Sequence, residues 1–249
     1  MSAEVAKEGH FYLVGVGPGA PDLLTLRAAS IIRSCDVLIA PRAETSAESL
    51  ALQVAAECID RQEIIEQIYP MARDQQQTES CWARVADIVV ERCQCGQSVA
   101  HLTIGDPLLY STAGYVIDQV TGRIPDDHWH VIPGVAAFQA AAAAVRRTVT
   151  RQNDRLMLMP ATNIAAVKAA LGVCETLVLY KVGPRLKQLT ALLEEQNLAA
   201  QSDLVCHASQ PGEETVLRGL DSACDAKAGY MSTVIVPVGR RRWADTREE

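Results

Sequence analysis

The chain has 249 residues, 49% of them hydrophobic and 4% aromatic, with a formal net charge of -7. That length and apolar content supply core for one large α/β domain or two small ones. The acidic balance and the scarcity of stacking side chains argue against a nucleic-acid or anionic-membrane surface, though not against a locally basic pocket for an acidic small molecule.

No apolar run is long enough to span a bilayer. The opening MSAEVAKEGH has no basic segment followed by an apolar one, so no signal peptide is read there and a cytoplasmic location is expected. The eight cysteines form no C-x-x-C pair and are expected as buried free thiols. His128-Trp129-His130 offers two imidazoles to one strand face without a third ligand, so no metal site is expected.

His10 to Val16 reads as the first strand. Gly15, Gly17 and Gly19 follow, with Pro18 between the last two. From Pro21 to Ser34 the apolar residues Leu23, Leu26, Ala29 and Ile32 fall near one helical face, with Pro21 in the first turn. Gly15, Gly17 and Ala20 also match G-x-G-x-x-A, a dinucleotide fingerprint. That reading wants an acidic residue ending the second strand. The second strand, Cys35 to Pro41, ends in Ala-Pro-Arg instead.

Ser46 to Cys58 is expected as a helix capped by Ser46, Gln62 to Ile68 as a strand, and Thr78 to Cys93 as an amphipathic helix. The latter carries Trp82, Val85, Ile88 and Val89 along its buried stripe. Val99 to Ile104 is a strand that runs into Gly105-Asp106-Pro107. Gly105 allows close backbone approach and Pro107 stops the strand. Asp106 thus stands at the carboxyl end of a strand, where open α/β sheets bind ligands. It either caps the next helix, expected over Tyr110 to Val120, or touches a ligand.

The polar stretch Thr121 to Asp127 is the expected boundary between a first domain, 1–122, and a second, 123–249. After it come a strand at His128 to Ile132, an Ala-rich helix at Val135 to Val145, and strands at Arg155 to Met159, Thr176 to Lys181 and Asp203 to Ala208. Glu214 to Leu220 and Ser232 to Val238 are expected as antiparallel partners. Alternating strands and helices in the first half predict a parallel sheet. The expected architecture is two α/β domains with a ligand cleft between them.

Five turns occur in order: GVGPGAPDLLTL, TIGDPLLYST, VIPGVAAFQAAAA, LYKVG and STVIVPVG. Together they resemble the tetrapyrrole methylases, enzymes of corrin and sirohaem synthesis that use S-adenosylmethionine, from about Phe11 to Gly239. Within the family, TIGDP followed by YST, the Tyr69-Pro70-Met71 triplet, LMPA at Leu158 to Ala161 and Lys181-Val182-Gly183 are most similar to the branch that methylates C20 of precorrin-2 or its cobalt form. Three positions depart from the family pattern. Ala20 replaces a usual acidic residue, and Ala136-Ala137 replaces a usual serine pair, leaving backbone groups for any cofactor contact there.

The resemblance implies a tetrapyrrole methylase fold, methyl transfer from S-adenosylmethionine to a ring carbon of the tetrapyrrole substrate, and a homodimer. It also implies roles by position. Ile104, Gly105, Asp106, Leu109, Ala136, Ala137, Lys181, Ala208 and Thr233 are expected to contact S-adenosylmethionine. Asp106 and then Tyr110 are expected to act in catalysis. Pro18 and Gly19 are expected to face the open cleft, and Arg42 and Arg73 to meet substrate carboxylates. Another corrin- or sirohaem-pathway methyltransferase of the same family is the first alternative; a dinucleotide-dependent oxidoreductase and a non-catalytic S-adenosylmethionine binder are the alternatives from other classes.

Overall fold

In the computed structural model, which describes residues 4–69, 75–222 and 228–239, strand β1 (Phe11–Gly15) is buried at every position. It lies between β4 (Val99–Thr103) and β5 (Trp129–Ile132). With β2 (Val37–Ala43) and β3 (Glu63–Tyr69) these strands form one sheet, ordered β3-β2-β4-β1-β5, in which every pairing is parallel. A parallel sheet covered on both faces needs near-continuous apolar strands, which is what FYLVG and VAHLT supply.

The period of two sorts the side chains. Tyr12, Val14, Leu38 and Leu102 pack with Ile31, Ile32 and Val54 from α1 (Leu26–Ser34) and α2 (Leu50–Ala55). Phe11, Leu13 and Ile39 pack with Val85, Val89 and Val116 from α3 (Gln75–Gln94) and α4 (Ala113–Val120). The first compact unit spans Met1–Ala136.

The second unit, Ala137–Glu249, contains α5 (Ala137–Ala144), β6 (Leu156–Pro160), α6 (Ile164–Ala170), β7 (Thr176–Tyr180), α7 (Leu186–Glu195), β8 (Asp203–Cys206), β9 (Thr215–Arg218) and β10 (Ser232–Pro237). Its sheet is mixed, ordered β6-β7-β10-β8-β9, with only β6 and β7 parallel. Leu177, Leu179, Val234 and Val236 face Val167, Leu189 and Leu193 of α6 and α7. Val178, Val205 and Ile235 face Ala140, Ala141 and Ala142 of α5. The Arg147 guanidinium donates to Asp203, whose side chain is 2% exposed, at 2.7 Å, tying the end of α5 to β8.

Four expectations change. The Pro21 segment is not one helix: Pro21–Leu23 is a single 3-10 turn, and Thr25 caps α1 by accepting from Ala28 N. Leu26 is therefore 91% exposed, and Ala28, Ala29, Ile31 and Ile32 form the buried face. Helix α2 starts at Leu50, not near Ser46, because the Ser49 hydroxyl donates to Pro41 O and holds the preceding loop against β2. Helix α4 starts at Ala113, three residues after Tyr110, because Tyr110 adopts φ +52 and Ser111 Oγ accepts from Ala113 N. Strands β9 and β10 are not partners. Each pairs antiparallel with β8, which lies between them.

The compact units divide between Ala136 and Ala137, not at 121–127, because β5 joins the first sheet beside β1. Of the expected free thiols, Cys35, Cys58, Cys93, Cys174 and Cys206 are buried and Cys95 is exposed. Met71, Arg73, Cys224 and the charged tail from Arg240 lie outside the described residues. Among those described, no helix is long and apolar enough to cross a membrane.

Candidate active site

Three strand ends of the first sheet meet backbone to backbone. Gly17 N donates to Gly105 O at 3.3 Å, and Gly105 N donates to Gly17 O at 2.7 Å. Both residues have positive φ, +81 and +75, which glycine adopts without strain. A Cβ on Gly134 would sit 2.2 Å from Gly105 O, and one on Gly15 would sit 2.6 Å from the same oxygen. So β1, β4 and β5 end in an interlock that only glycine permits. Above Gly105 the space is open: a Cβ there would meet nothing within 4 Å.

Asp106 holds this turn together. Its Oδ1 accepts from Leu108 N at 2.9 Å, and its Oδ2 accepts from Gly134 N at 3.1 Å. The carboxylate thus links the end of β4 to the end of β5. It caps a turn rather than helix α4. Ile104, Asp106 and Leu109 are half-buried, while Tyr110 is 47% exposed. The left-handed backbone of Tyr110 turns the chain back, and Ser111 Oγ meets Thr103 Oγ1 at 2.9 Å.

Pro18 and Gly19, expected to face open space, are buried, because the Gly17–Gly105 pair folds their loop down. Arg42 sits at the end of β2, where its Nη1 donates to Ser46 O at 2.6 Å and its Nε lies 3.2 Å from Glu66. It anchors its own loop. Arg147 is likewise engaged, by Asp203.

His101 of β4 is fully buried, with neither ring nitrogen hydrogen-bonded. Burial pushes its pKa down to about 4 and leaves the ring neutral. At the opposite end of the same sheet His10 Nδ1 lies 2.9 Å from His130 Nε2, and His10 stacks on His128 with ring centroids 4.3 Å apart. Burial first, then the neighbouring imidazoles and cations, lower the pKa of His10 and His130. Parallel stacked rings do not converge on a point, and among the described residues no group of three His, Cys, Asp or Glu could hold a metal ion.

In the second unit, Lys181, Ala208 and Thr233 gather at one end of the sheet. Thr233 is in register with Tyr180 of β7 and Val205 of β8. The Tyr180 hydroxyl accepts from Phe138 N at 3.0 Å, which brings the start of α5, with Ala137, to this end as well. Lys181 has φ +56, and its Nζ lies 5.7 Å from the Tyr230 ring centroid. Ala208 is buried between His207, φ +51, and Ser209, φ +61. Left-handed backbone at side-chain-bearing residues costs roughly 1–3 kcal/mol each and gathers at ligand clamps. Ala136, the last residue of the first unit, is buried.

Sequence reading passed over His207 and Gln210. CHASQP contains no glycine or asparagine, and histidine, also enriched at positive φ, is its one mark of a left-handed turn. A histidine just after an apolar strand was the available signal.

A family profile described as Tetrapyrrole (Corrin/Porphyrin) Methylases matches residues 10–223. Cobalt-precorrin-2 C(20)-methyltransferase of Salmonella typhimurium is 32% identical over 231 residues, 92% of this chain and 96% of that protein. Precorrin-2 C(20)-methyltransferase of a Sinorhizobium species is 26% identical, over 92% of this chain and 95% of that protein. Among solved structures, a cobalt precorrin-4 methyltransferase superposes with a TM-score of 0.68 at 20% identity, covering 92% of this chain and 94% of its own. A uroporphyrin-III C-methyltransferase from Thermus thermophilus, complexed with S-adenosylhomocysteine, superposes at 0.63 with 20% identity, covering 91% of this chain and 96% of its own. The first of these likenesses and the profile match each span most of the chain, and the chain belongs to the tetrapyrrole methylase family.

Proposed function

We propose that this chain is an S-adenosylmethionine-dependent methyltransferase that methylates C20 of cobalt-precorrin-2 in cobalamin biosynthesis. The observation that carries the reading is the 32% identity over nearly the full length of both chains to the Salmonella typhimurium enzyme of that name. The Sinorhizobium enzyme, named for precorrin-2 without cobalt, stands at 26% over the same share of this chain. Cobalt enters as part of the substrate.

The open space above Gly105 and the backbone-lined turn around it suit a large cofactor held through main-chain groups. Ile104, Gly105, Asp106, Leu109 and Ala136 of the first unit, with Ala137, Lys181, Ala208 and Thr233 of the second, are the proposed contacts. Bound S-adenosylmethionine supplies a methyl group already activated by a positive sulfur. The protein's task is then alignment, which holding two reactants in near-attack geometry accomplishes. Asp106 serves by fixing the turn, with both oxygens occupied by backbone N–H groups. Tyr110, exposed beside that turn, is the proposed contact to the macrocycle. Arg73 and the outer face of Arg42 are proposed to meet its carboxylates. A cytoplasmic homodimer is proposed on the same family likeness.

A paired turnover assay tests the reading. The protein is given S-adenosylmethionine with cobalt-precorrin-2 and, separately, with metal-free precorrin-2, without oxygen, and products are followed by mass spectrometry. One methyl gained at C20, faster with the cobalt complex, is expected. Methylation at another carbon, or none on either macrocycle, overturns it.

A further inference from the structure

We propose that His207 is the base that removes the C20 proton after methyl transfer. The proposal rests on the C20 reading and deepens it. When the substrate's C20 attacks the sulfonium methyl, a C–C bond forms, the S–CH3 bond breaks and its electron pair stays on sulfur. C20 then carries both a methyl and a hydrogen. The C–H electron pair must return to the ring to restore conjugation, and the proton must go to an acceptor.

His207 is built as such an acceptor. It follows β8 directly, beside Ala208, and is half-buried. Its Nδ1 lies 3.1 Å from Gln210 Oε1. An amide oxygen only accepts, so Nδ1 carries the hydrogen and donates. In the neutral ring, Nε2 is then the nitrogen that carries the lone pair. A Cβ on Gly229 would lie 4.0 Å from Nε2, so a glycine there keeps a side chain from approaching that nitrogen.

The ring is held where it stands. His207 N donates to Met231 O at 2.8 Å, and Gln210 N donates to His207 O at 2.9 Å. The Glu214 carboxylate accepts from Ser209 N at 2.6 Å, which fastens the far side of the turn. These bonds impose left-handed backbone on both His207 and Ser209, where glycine would sit without strain. Gln210 is 8% exposed, and its Nε2 has no partner among the described residues. A buried amide donor left open at this turn is a group for a ligand to satisfy. Gln210 is thus a positioning residue: it sets the tautomer of His207.

The experiment is a single turnover with two readouts, S-adenosylhomocysteine by mass spectrometry and the conjugated product by absorbance. Two variants tolerate left-handed backbone and keep the fold, His207→Asn and His207→Gly. Both are expected to form S-adenosylhomocysteine within threefold of the wild-type rate, while the product chromophore appears about 100-fold more slowly. Added imidazole is expected to restore the chromophore in His207→Gly. Gln210→Met is expected to show the same separation of the two readouts, about tenfold, which a merely structural loss would not produce. A chromophore that keeps pace with S-adenosylhomocysteine in both His207 variants overturns the assignment and leaves the C20 reading standing. Wild-type protein that forms no S-adenosylhomocysteine with either macrocycle overturns the C20 reading, and this assignment with it.

Discussion

The two units make tight, left-handed turns at their sheet ends by opposite means. The first relies on glycine, with Tyr110 beside it: Gly17 and Gly105 carry positive φ, and Gly15, Gly105 and Gly134 let three backbones touch. The second uses Lys181, His207 and Ser209, all in left-handed conformation and all with side chains. Glycine turns offer N–H and C=O groups and close approach. Strained, side-chain-bearing turns offer functional groups at a conformational cost. The contrast separates turns built on close backbone approach from turns built on side-chain-bearing residues, with Tyr110 of the first unit as the crossover.

Breaking the glycine interlock gives the largest effect. Gly134→Ala forces a Cβ to within 2.2 Å of a backbone oxygen that cannot step aside. A loss of about 3 kcal/mol or more is expected in urea denaturation, at the upper end of overpacking. Wild-type stability for this variant would mean that β4 and β5 can part without harm.

The histidines sharpen the comparison. His207 has a partner that sets its tautomer, whereas His101 is sealed inside the first unit with none. The folded-state pKa of His101 is pushed down to about 4, so the unfolded chain takes up its proton first, from pH 6.5 downward. Its neutral burial supports the fold fully above pH 6.5 and progressively less as the pH falls towards 4, by about 3 kcal/mol in all. His10 and His130, also lowered, act in the same direction. His101→Leu is expected to flatten this part of the stability–pH curve, measured by denaturation at pH 7, 5.5 and 4.5, with methyl transfer unchanged. An unaltered slope would assign the acid sensitivity elsewhere.

The smallest effect isolates strain without chemistry. Arg146, φ +51, ends α5 at an exposed position, where Arg147 N donates to Ala142 O around it. Glycine is preferred there. Arg146→Gly is expected to raise stability by about 1 kcal/mol with turnover unchanged. A gain in stability accompanied by lost activity would move Arg146 into the functional set.

Much of the first unit was legible because periodicity and glycine spacing are local signals. FYLVG, CDVLIAP and SVAHLT could only be buried strands, and the alternation of strands with helices required a parallel sheet. The five ordered turns carried the family likeness. What escaped was non-local. No pattern in STVIVP says that it inserts between β7 and β8, since that choice is made by partners distant in sequence. The 121–127 stretch looks like a linker because it is polar, yet β5 beyond it completes the first sheet. Thr25 stops one helical pattern and starts another through a single hydroxyl, and apolar spacing does not register that. Asp106 stands just past the end of β4, as the strand pattern and the Gly-Asp-Pro turn imply. Its bond to Gly134 depends on a turn 28 residues away, and the tautomer of His207 on a backbone conformation that its neighbours impose.

The position of β1 has a consequence for synthesis on the ribosome. Phe11 pairs with Val99 on one side and Trp129 on the other, so this most buried strand has no sheet partner until about 90 further residues have been made. At ordinary translation speeds of about 5–20 residues per second, the delay is on the order of 5–20 s. Through that interval a fully apolar pentapeptide waits in the nascent chain with both edges open. Its long-range partners make the first unit a slow folder by topology.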